Sequence, residues 1–341
     1  MDKTLKDIGE FGLIDRIQTI IEGESPESAD IRLGIGDDAA SFRPKAGYEI
    51  LVTCDSVVEG RHFLPEHISP LDLGRRAMSL NISDIGAMGG RPLYALISLG
   101  LRGDSKVSYI EELYRGFLRE LTPMGGAIIG GNLTKVENEI FIDITLIGEV
   151  EEGRAVRRSG AREGDVILLT GYPGESAAGL HYLLSSRSPG ELTNHPLVRR
   201  YNTPTHRARE GRVIALTGLA TSMIDTSDGF LGDLGHICKE SRLGALILEE
   251  RLPVSEDIKN AARLFNIDPF EWVLGSSDDY ELIITCPPEH LADIKAALRD
   301  VSDVPIHEVG RMLAVEEGIR LQAADGNFKS LSEGGWDHFI K

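Results

Sequence analysis

The sequence is short of cysteine and of long apolar runs, and each shortage excludes a class of protein. The three cysteines, Cys54, Cys238 and Cys286, are odd in number and far apart, which argues against a disulfide framework or a structural zinc site. Apolar runs such as VILLT and ALIL are too short to span a bilayer. The charged segment MDKTLKDIGEF lacks the apolar core of a signal peptide. We therefore expect a cytoplasmic protein with no membrane partner.

Basic residues are also scarce relative to acidic ones. The chain has 36 Lys and Arg against 54 Asp and Glu, a net charge of −18, and such a surface repels nucleic acids. The same charge would repel ATP, so a polyphosphate-binding role would require Mg²⁺ between carboxylates and phosphates. With 41% hydrophobic residues and 341 residues in all, the composition fits a packed protein of two domains.

The common nucleotide-binding and hydrolytic motifs are missing. No G-x-x-x-x-G-K-[ST], H-R-D, D-F-G, H-E-x-x-H or G-x-S-x-G sequence occurs. The pair Gly34 and Gly36 lacks the third glycine of a dinucleotide fingerprint. If this chain binds ATP, it does so with an uncommon framework.

Strand and helix patterns alternate through both halves of the chain. EILVT (49–53) predicts a strand that ends at Asp55, residues 71–88 predict a helix, and VILLT (166–170) predicts a strand followed by a helix from about Ser176. The polar stretch EEGRAVRRSGAREGD separates the halves. We therefore predict an α/β or α+β protein with domains at 1–152 and 153–341.

Glycine and aspartate occur together in four short segments, GIGDDAA (34–40), VTCDSVVEGRHF (52–63), NISDIGAMGG (81–90) and IDTSDGFLGDL (224–234). Asp84 lies among apolar helix residues, where a carboxylate is costly unless it is paired or bound to metal. Asp55 follows an apolar strand, and Asp38 follows two glycines that permit close approach to a phosphate. These segments predict a carboxylate cluster that needs cations, and hard oxygen ligands favour Mg²⁺ over zinc.

Each segment also has a purely structural interpretation. G-D-D is a common turn sequence, and Asp84 could pair with Arg75 or Arg76 on its own helix. Ser227 and Asp228 could cap the following helix. The joint occurrence of the segments in one chain, rather than any one of them, favours the cluster.

In this order, the motifs resemble the thiamine-monophosphate kinases, which belong to the superfamily of aminoimidazole ribonucleotide synthetase. The similarity runs nearly end to end, through GEFGLIDRI, GIGDDAA, DSVVEGRHF, NISDIGAMGGRP, GGN, RRSGAREGD, TGYPGESAAGL, IDTSDGFLGDLGHI, SDDYEL and GGWDHF. It implies a two-domain α/β fold. In this fold the N-terminal ATP- and Mg²⁺-binding domain forms a barrel across a homodimer, and the C-terminal α/β domain covers the active site.

The resemblance also implies roles for individual residues. Asp38, Asp55, Asp84 and Asp225 would be the catalytic carboxylates. The Mg²⁺ ligands it implies are Asp38, Thr53, Cys54, Asp55, Asp84, Asn132, Asp225 and Asp228. The ATP-binding residues it implies are Gly131, Asn132, Arg158 and Ser227. The thiamine-phosphate contacts it implies are His62, Asp278 and Trp336, although His62 could be a plain surface histidine and Trp336 could serve only in packing.

Three positions depart from the family pattern. Asn132 stands where the family usually has Asp, which removes a charge from one metal site. Asp278 stands where Glu is usual and reaches less far, and Cys54 replaces a usual Thr, although a backbone ligand would survive that change.

The resemblance implies Mg²⁺-assisted, in-line transfer of the γ-phosphate of ATP to thiamine monophosphate, giving thiamine diphosphate. Two other functions stay open. One is an enzyme of the same superfamily with a different acceptor. The selenophosphate branch is disfavoured, because no cysteine precedes Cys54. The other is an ATP-binding protein that has lost catalysis, and Asn132 and Asp278 are the features that favour it.

Overall fold

The computed structural model describes residues 3–24, 30–185 and 195–331. The chain divides into two compact units. The first consists of Met1–Ile85 and Gly90–Gly153, and the second of Gly86–Gly89 and Arg154–Lys341. Within the described ranges, no helix is long and apolar enough to cross a membrane.

The elements of the first unit alternate between strands and helices. Its helices are Leu5–Glu24 (α1), Pro70–Ala87 (α2) and Val107–Leu121 (α3), of which α2 continues into the second unit by its last residues. Its strands are Ile31–Leu33 (β1), Ser41–Phe42 (β2), Tyr48–Val58 (β3), Arg91–Leu101 (β4), Ala127–Lys135 (β5) and Phe141–Glu151 (β6).

Four of these strands form a mixed sheet in the order β3, β6, β4, β5. β6 is antiparallel to both of its neighbours, whereas β4 and β5 are parallel. The predicted end of β3 at Asp55 is wrong, because β3 pairs with β6 along its whole length as far as Val58. Polar Cys54 and Ser56 lie on the exposed side of the strand and therefore do not interrupt it.

The second unit begins with a fully buried strand and carries most of the helices. Its strands are Val166–Thr170 (β7), Ser222–Asp225 (β8), Gly244–Leu248 (β9), Leu282–Cys286 (β10), Ile306–Leu313 (β11), Ile319–Gln322 (β12) and Phe328–Ser330 (β13). Its described helices are Glu175–Leu184 (α4), Pro196–Asn202 (α5), Ala208–Thr217 (α6), Phe230–Ser241 (α7), Glu256–Phe265 (α8), Pro269–Val273 (α9) and Leu291–Arg299 (α10).

These strands form one sheet in the order β13, β12, β9, β11, β7, β10, β8. Every residue of β7 and β10 is buried, since apolar clusters cover both faces of the sheet. β8 and β10 are antiparallel, and Asp225 at the end of β8 pairs with Leu282 at the start of β10. The loop after β8 and the loop before β10 therefore lie side by side.

The prediction of a mixed α/β protein is confirmed. In the part of the chain that the structure describes, the sheet of the first unit is open, with β3 and β5 at its edges. The barrel across a homodimer stays a prediction.

Candidate active site

Two carboxylates and a hydroxyl meet in the first unit. Thr53 and Asp55 are two residues apart on β3 and therefore point to the same face of the sheet, and both are half-buried. The Thr53 hydroxyl donates a hydrogen bond to Asp84 Oδ2 on α2, and Asp84 also shares a hydrogen bond with Asp55. The structure thus brings together three predicted metal ligands from two separated segments.

The Asp55 carboxyl lies in an environment that disfavours its charged form. Burial, as the largest cause, and the neighbouring carboxylates of Asp84 and Asp143 together raise the pKa of Asp55 to about 7. A cation bound between these groups would favour their ionised forms. The electrostatics therefore suit a group that binds a metal ion.

Asp143 is a carboxylate that the sequence interpretation missed. It lies on β6 and accepts a hydrogen bond of 2.5 Å from the Ser56 hydroxyl, and the Cys54 sulfur lies 3.6 Å from each of its oxygens. Strand register places Asn132, Ser98, Asp143 and Ser56 in one row across the four strands of the sheet. The sequence signal that could have revealed Asp143 is a charged residue that alternates with apolar ones in FIDITLIGEV.

The other predicted residues of the first unit lie outside these contacts. Asp38 is exposed in a bend, and its own N–H donates to Asp37 Oδ1 at 2.8 Å. The Nδ1 atom of His62 accepts a hydrogen bond of 2.9 Å from the Val58 N–H, so Nε2 carries the proton of the neutral ring. Asp38 is therefore not part of the contacts that define the Thr53, Asp55 and Asp84 group.

Gly131 lies on β5 next to Asn132 and fits a close backbone approach. A Cβ at this position would lie 2.0 Å from the Ile97 carbonyl oxygen of β4, so no larger residue fits without displacing the strand. Arg158, in the second unit, is exposed, and its carbonyl oxygen accepts from the Ser241 hydroxyl at 3.3 Å.

A second acidic group occupies the loop after β8. Asp225 is only 2% exposed, while Ser227 is exposed and Asp228 is half-buried. Asp228, Asp233 and His236 each place one ligand atom within 4.8 Å of the others. Burial and the nearby Asp225 carboxylate raise the pKa of Asp233 to about 8, against the opposing effect of backbone N–H donors.

The loop before β10 carries Asp278 and is held by its neighbours. Asp278 Oδ1 accepts a hydrogen bond of 2.6 Å from the Ser176 hydroxyl. Asp279 accepts from the N–H groups of Gly174 at 2.6 Å and Ser176 at 2.8 Å, at the start of α4. Burial raises the pKa of Asp279 to about 7 despite these donors. Tyr280 adopts a left-handed backbone with φ of 57°, which costs roughly 1 kcal/mol for a residue other than glycine.

Thr226 joins the two loops. Its N–H donates to the Glu281 carbonyl oxygen at 2.8 Å, and its own carbonyl oxygen accepts from the Tyr280 N–H at 2.8 Å. Its hydroxyl oxygen accepts from the Glu281 N–H at 3.0 Å. Thr226 is fully buried, so the segment with Asp225 and Asp228 and the segment with Asp278 are fixed against each other.

A buried ion pair between Arg207 and Glu281 stabilises the loop before β10. The Arg207 guanidinium contacts both carboxylate oxygens of Glu281, with Nε 2.7 Å from Oε2, and the Thr170 hydroxyl donates to Oε2 at 2.6 Å. The two charged side chains are only 7% and 6% exposed. Gly171, with φ of +58°, leaves the room that the Glu281 carboxylate fills, because a Cβ there would lie 2.0 Å from Oε1.

Arg75 pairs with Glu120 at 2.7 Å and with Asp72 at 3.7 Å, so it is not the partner of Asp84, whereas the alternative pairing of Asp84 with Arg76 stays a prediction. The cap position of α7 is occupied by Gly229 rather than by Ser227 or Asp228. Trp336 lies outside the described residues.

Both acidic groups present oxygen atoms as donors. The first unit offers the Thr53 hydroxyl and the carboxylates of Asp55 and Asp84, and the second unit separately offers the carboxylates of Asp225 and Asp228, which are the hard oxygen ligands that Mg²⁺ prefers. The imidazole of His236 suits other divalent metals. These residues therefore fit Mg²⁺, and a cation would relieve the repulsion that raises the Asp55 pKa.

Comparison with known families matches both units. Residues 36–150 match the model of the AIR synthase related protein N-terminal domain, and residues 162–321 match that of the AIR synthase related protein C-terminal domain. A thiamine-monophosphate kinase of Aquifex aeolicus is 37% identical over 335 residues, covering 98% of this chain and 99% of its own length. That of Salmonella typhimurium is 34% identical, with 97% and 98% covered.

Solved structures agree with these relatives. A crystal structure of thiamine-monophosphate kinase from Stenotrophomonas maltophilia K279a is 30% identical, with a TM-score of 0.79 over 94% of this chain and 98% of that one. A structure of AaThiL complexed with AMPPCP and TMP is 36% identical, with a TM-score of 0.75 over 99% of both chains. Hydrogenase maturation protein HypE in complex with ATP, 20% identical over 98% of both chains with a TM-score of 0.76, shares the fold.

Proposed function

This chain belongs to the thiamine-monophosphate kinase family, and we propose that its two acidic groups bind the Mg²⁺ ions that serve the transfer. The enzyme uses ATP to phosphorylate thiamine monophosphate, giving thiamine diphosphate and ADP. The observation that carries this function is similarity over nearly the whole chain to kinases of this name, one of them solved with AMPPCP and TMP.

Mg²⁺ binding is assigned to side chains of both units. In the first unit the Thr53 hydroxyl and the carboxylates of Asp55 and Asp84 already contact one another, and their mutual repulsion supports a cation between them. The full set proposed as Mg²⁺ ligands is Asp38, Thr53, Cys54, Asp55, Asp84, Asn132, Asp225 and Asp228. Cys54 would contribute its backbone carbonyl, because a thiol is a poor ligand for Mg²⁺.

The reaction requires two anions to approach each other on a protein of net charge −18. A phosphate oxygen of thiamine monophosphate is already anionic, so its attack on the γ-phosphorus needs no strong base, and an in-line path expels ADP. Mg²⁺ held by these residues would neutralise phosphate charge and stabilise the charge that develops during transfer. The residues that hold these groups in place therefore matter more than any proton acceptor.

The remaining predicted residues are assigned to the two substrates. Gly131, Asn132, Arg158 and Ser227 are proposed to contact ATP, where Arg158 offers a fixed positive charge to the phosphates. His62, Asp278 and Trp336 are proposed to contact thiamine monophosphate. An indole face at Trp336 suits the flat rings of the vitamin and its cationic thiazolium.

Homodimer formation and a cytoplasmic location are parts of the same proposal. The face of the first sheet that carries Cys54 and Ser56 also exposes Ile50 and Val52, the latter to 65%. An apolar strand face of this kind supports pairing with a second copy, which would close the barrel.

A coupled assay that measures ADP release tests the function. We expect ADP formation that requires both Mg²⁺ and thiamine monophosphate, with thiamine diphosphate identified by chromatography. ADP release that is independent of thiamine monophosphate would indicate another acceptor. Absence of ADP release, with ATP binding retained, would indicate an ATP-binding protein without catalysis.

Restoring a carboxylate with Asn132→Asp is expected to lower the Mg²⁺ concentration that gives half-maximal activity by about 3- to 10-fold, because ligand charge sets divalent-ion affinity. A Mg²⁺ titration of turnover measures this change. The matched control is Asn138→Asp, which adds the same charge at an exposed position of the same unit. Equal titrations for both variants would show that position 132 holds no metal.

A further inference from the structure

One buried carboxylate accepts three backbone hydrogen bonds in the loop after β8. Asp233 Oδ2 accepts the N–H of Ser227 at 3.0 Å, of Asp228 at 3.0 Å and of Gly229 at 3.1 Å. The residue is only 1% exposed. Three donors that converge on one oxygen define the backbone path of the turn that carries Ser227 and Asp228.

This arrangement differs from an ordinary helix cap. A cap residue precedes the helix and accepts N–H groups of the first turn, whereas Asp233 lies inside α7 and reaches back to the preceding loop. Gly229, at the cap position, has φ of +111°, and a Cβ there would lie 2.3 Å from the Gly275 carbonyl oxygen. The helix side chain therefore shapes the loop, and the loop has little freedom to adopt another path.

The Asp233 carboxylate lies in an electrostatically unfavourable environment. Asp225 and Asp228 lie close by and carry the same charge, so a third carboxylate adds repulsion that the three N–H donors oppose. Ser227 is exposed, and Asp228 is half-buried with its Oδ2 4.0 Å from His236 Nε2, so both side chains are accessible to ligands.

We propose that Asp233 is a positioning residue, which fixes the 227–229 turn so that Asp228 and Ser227 are held ready for Mg²⁺ and ATP. The proposal rests on the assignment of Asp228 and Ser227 under the proposed function. Asp233 acts through the loop backbone and contacts neither substrate.

The test compares three variants in the full-length protein: Asp233→Ala, Asp233→Asn and the matched control Asp165→Asn. Asp165 is another buried aspartate of the same unit, which accepts from the Arg162 N–H at 2.8 Å and the Thr221 hydroxyl at 2.6 Å. Replacing the Asp165 carboxylate disturbs buried hydrogen bonds next to β7, as replacing Asp233 does next to α7. Urea unfolding gives the stability of each variant, and calorimetric titration with Mg²⁺ alone gives its metal affinity without any turnover.

Asp233→Ala is expected to weaken Mg²⁺ binding and raise the Mg²⁺ concentration for half-maximal activity by about 10- to 100-fold, the usual cost of removing a group that orients a metal ligand. Asp233→Asn keeps an acceptor oxygen and is expected to lose less Mg²⁺ affinity than Asp233→Ala. The control Asp165→Asn is expected to lose stability while its Mg²⁺ affinity stays that of the wild type.

Two outcomes would overturn the proposal. One is wild-type Mg²⁺ affinity in Asp233→Ala, which would make the carboxylate purely structural. The other is an Asp233→Asn variant as impaired as Asp233→Ala, which would make its charge, and not its hydrogen bonds, the active feature. If Asp233→Ala does not fold, the test relies on Asp233→Asn. The proposal would then be overturned by an Mg²⁺ affinity of Asp233→Asn equal to that of Asp165→Asn. Calorimetry measures Mg²⁺ affinity without turnover, so it tests the role of Asp233 separately from the proposed function. A wild-type protein that is inactive with thiamine monophosphate would refute the proposed function alone.

Discussion

Replacing Asp84 with Asn is expected to lower kcat/KM for phosphorylation of thiamine monophosphate by at least about 100-fold, while the protein stays folded. Asn has the same size as Asp and still offers an oxygen to the Thr53 hydroxyl. It lacks the charge, so its attraction for a cation beside Asp55 is weaker. Steady-state kinetics over a range of Mg²⁺ concentrations measure the loss.

For stability, the expected effect of Asp84→Asn is the opposite of its effect on activity. Without Mg²⁺, the variant should unfold at the same or a higher urea concentration than the wild type, because repulsion between Asp84 and Asp55 is removed. Asp72→Asn is the matched control on the same helix, where the carboxylate accepts from the Ser69 hydroxyl at 2.8 Å. Wild-type turnover in Asp84→Asn would remove Asp84 from the metal site.

Replacing Arg207 with Ala is expected to lower the free energy of unfolding by about 3–5 kcal/mol. The substitution leaves the buried Glu281 carboxylate with the Thr170 hydroxyl and without its charged partner. Urea denaturation followed by circular dichroism measures the change. Activity should fall as well, because Glu281 precedes β10 and bonds to Thr226 through its backbone.

An exposed ion pair of the same unit provides the control. Arg251 and Glu308 are 50% and 32% exposed, so Arg251→Ala should cost less than about 1 kcal/mol. A double replacement of Arg207 and Glu281 by Met is expected to lose less stability than Arg207→Ala, since no unpaired charge remains buried. Equal losses for Arg207→Ala and Arg251→Ala would contradict the role given to burial.

Apolar residues predicted several elements of the fold from the sequence alone. VILLT forms β7 at the predicted bounds, and the helix predicted at 71–88 is α2 at Pro70–Ala87. The end of β3 was wrong because the predicted strand stopped at the polar residues that follow EILVT, whereas the strand runs through them to Val58. Only pairing with β6, about 90 residues away, extends the strand through them, and local sequence does not carry that information.

The site could be predicted where carboxylates stand out against apolar neighbours. Asp84 was detected in this way, and it does meet Asp55. Asp143 was missed because a single aspartate in an alternating strand has no local signature. Its proximity to Cys54 and Ser56 arises from strand register alone. The hydrogen bonds of Asp233 and Asp279 to distant or preceding backbone likewise depend on the folded chain.

The three hydrogen bonds of Thr226 have a thermodynamic consequence for ligand binding. They prevent the loop with Asp228 and the loop with Asp278 from moving independently, so ordering of one loop orders the other. Binding free energies at the two loops then become linked. Under the proposed assignment of the metal–nucleotide complex to the Asp228 loop and of thiamine monophosphate to the Asp278 loop, each ligand would change the affinity for the other by the same factor.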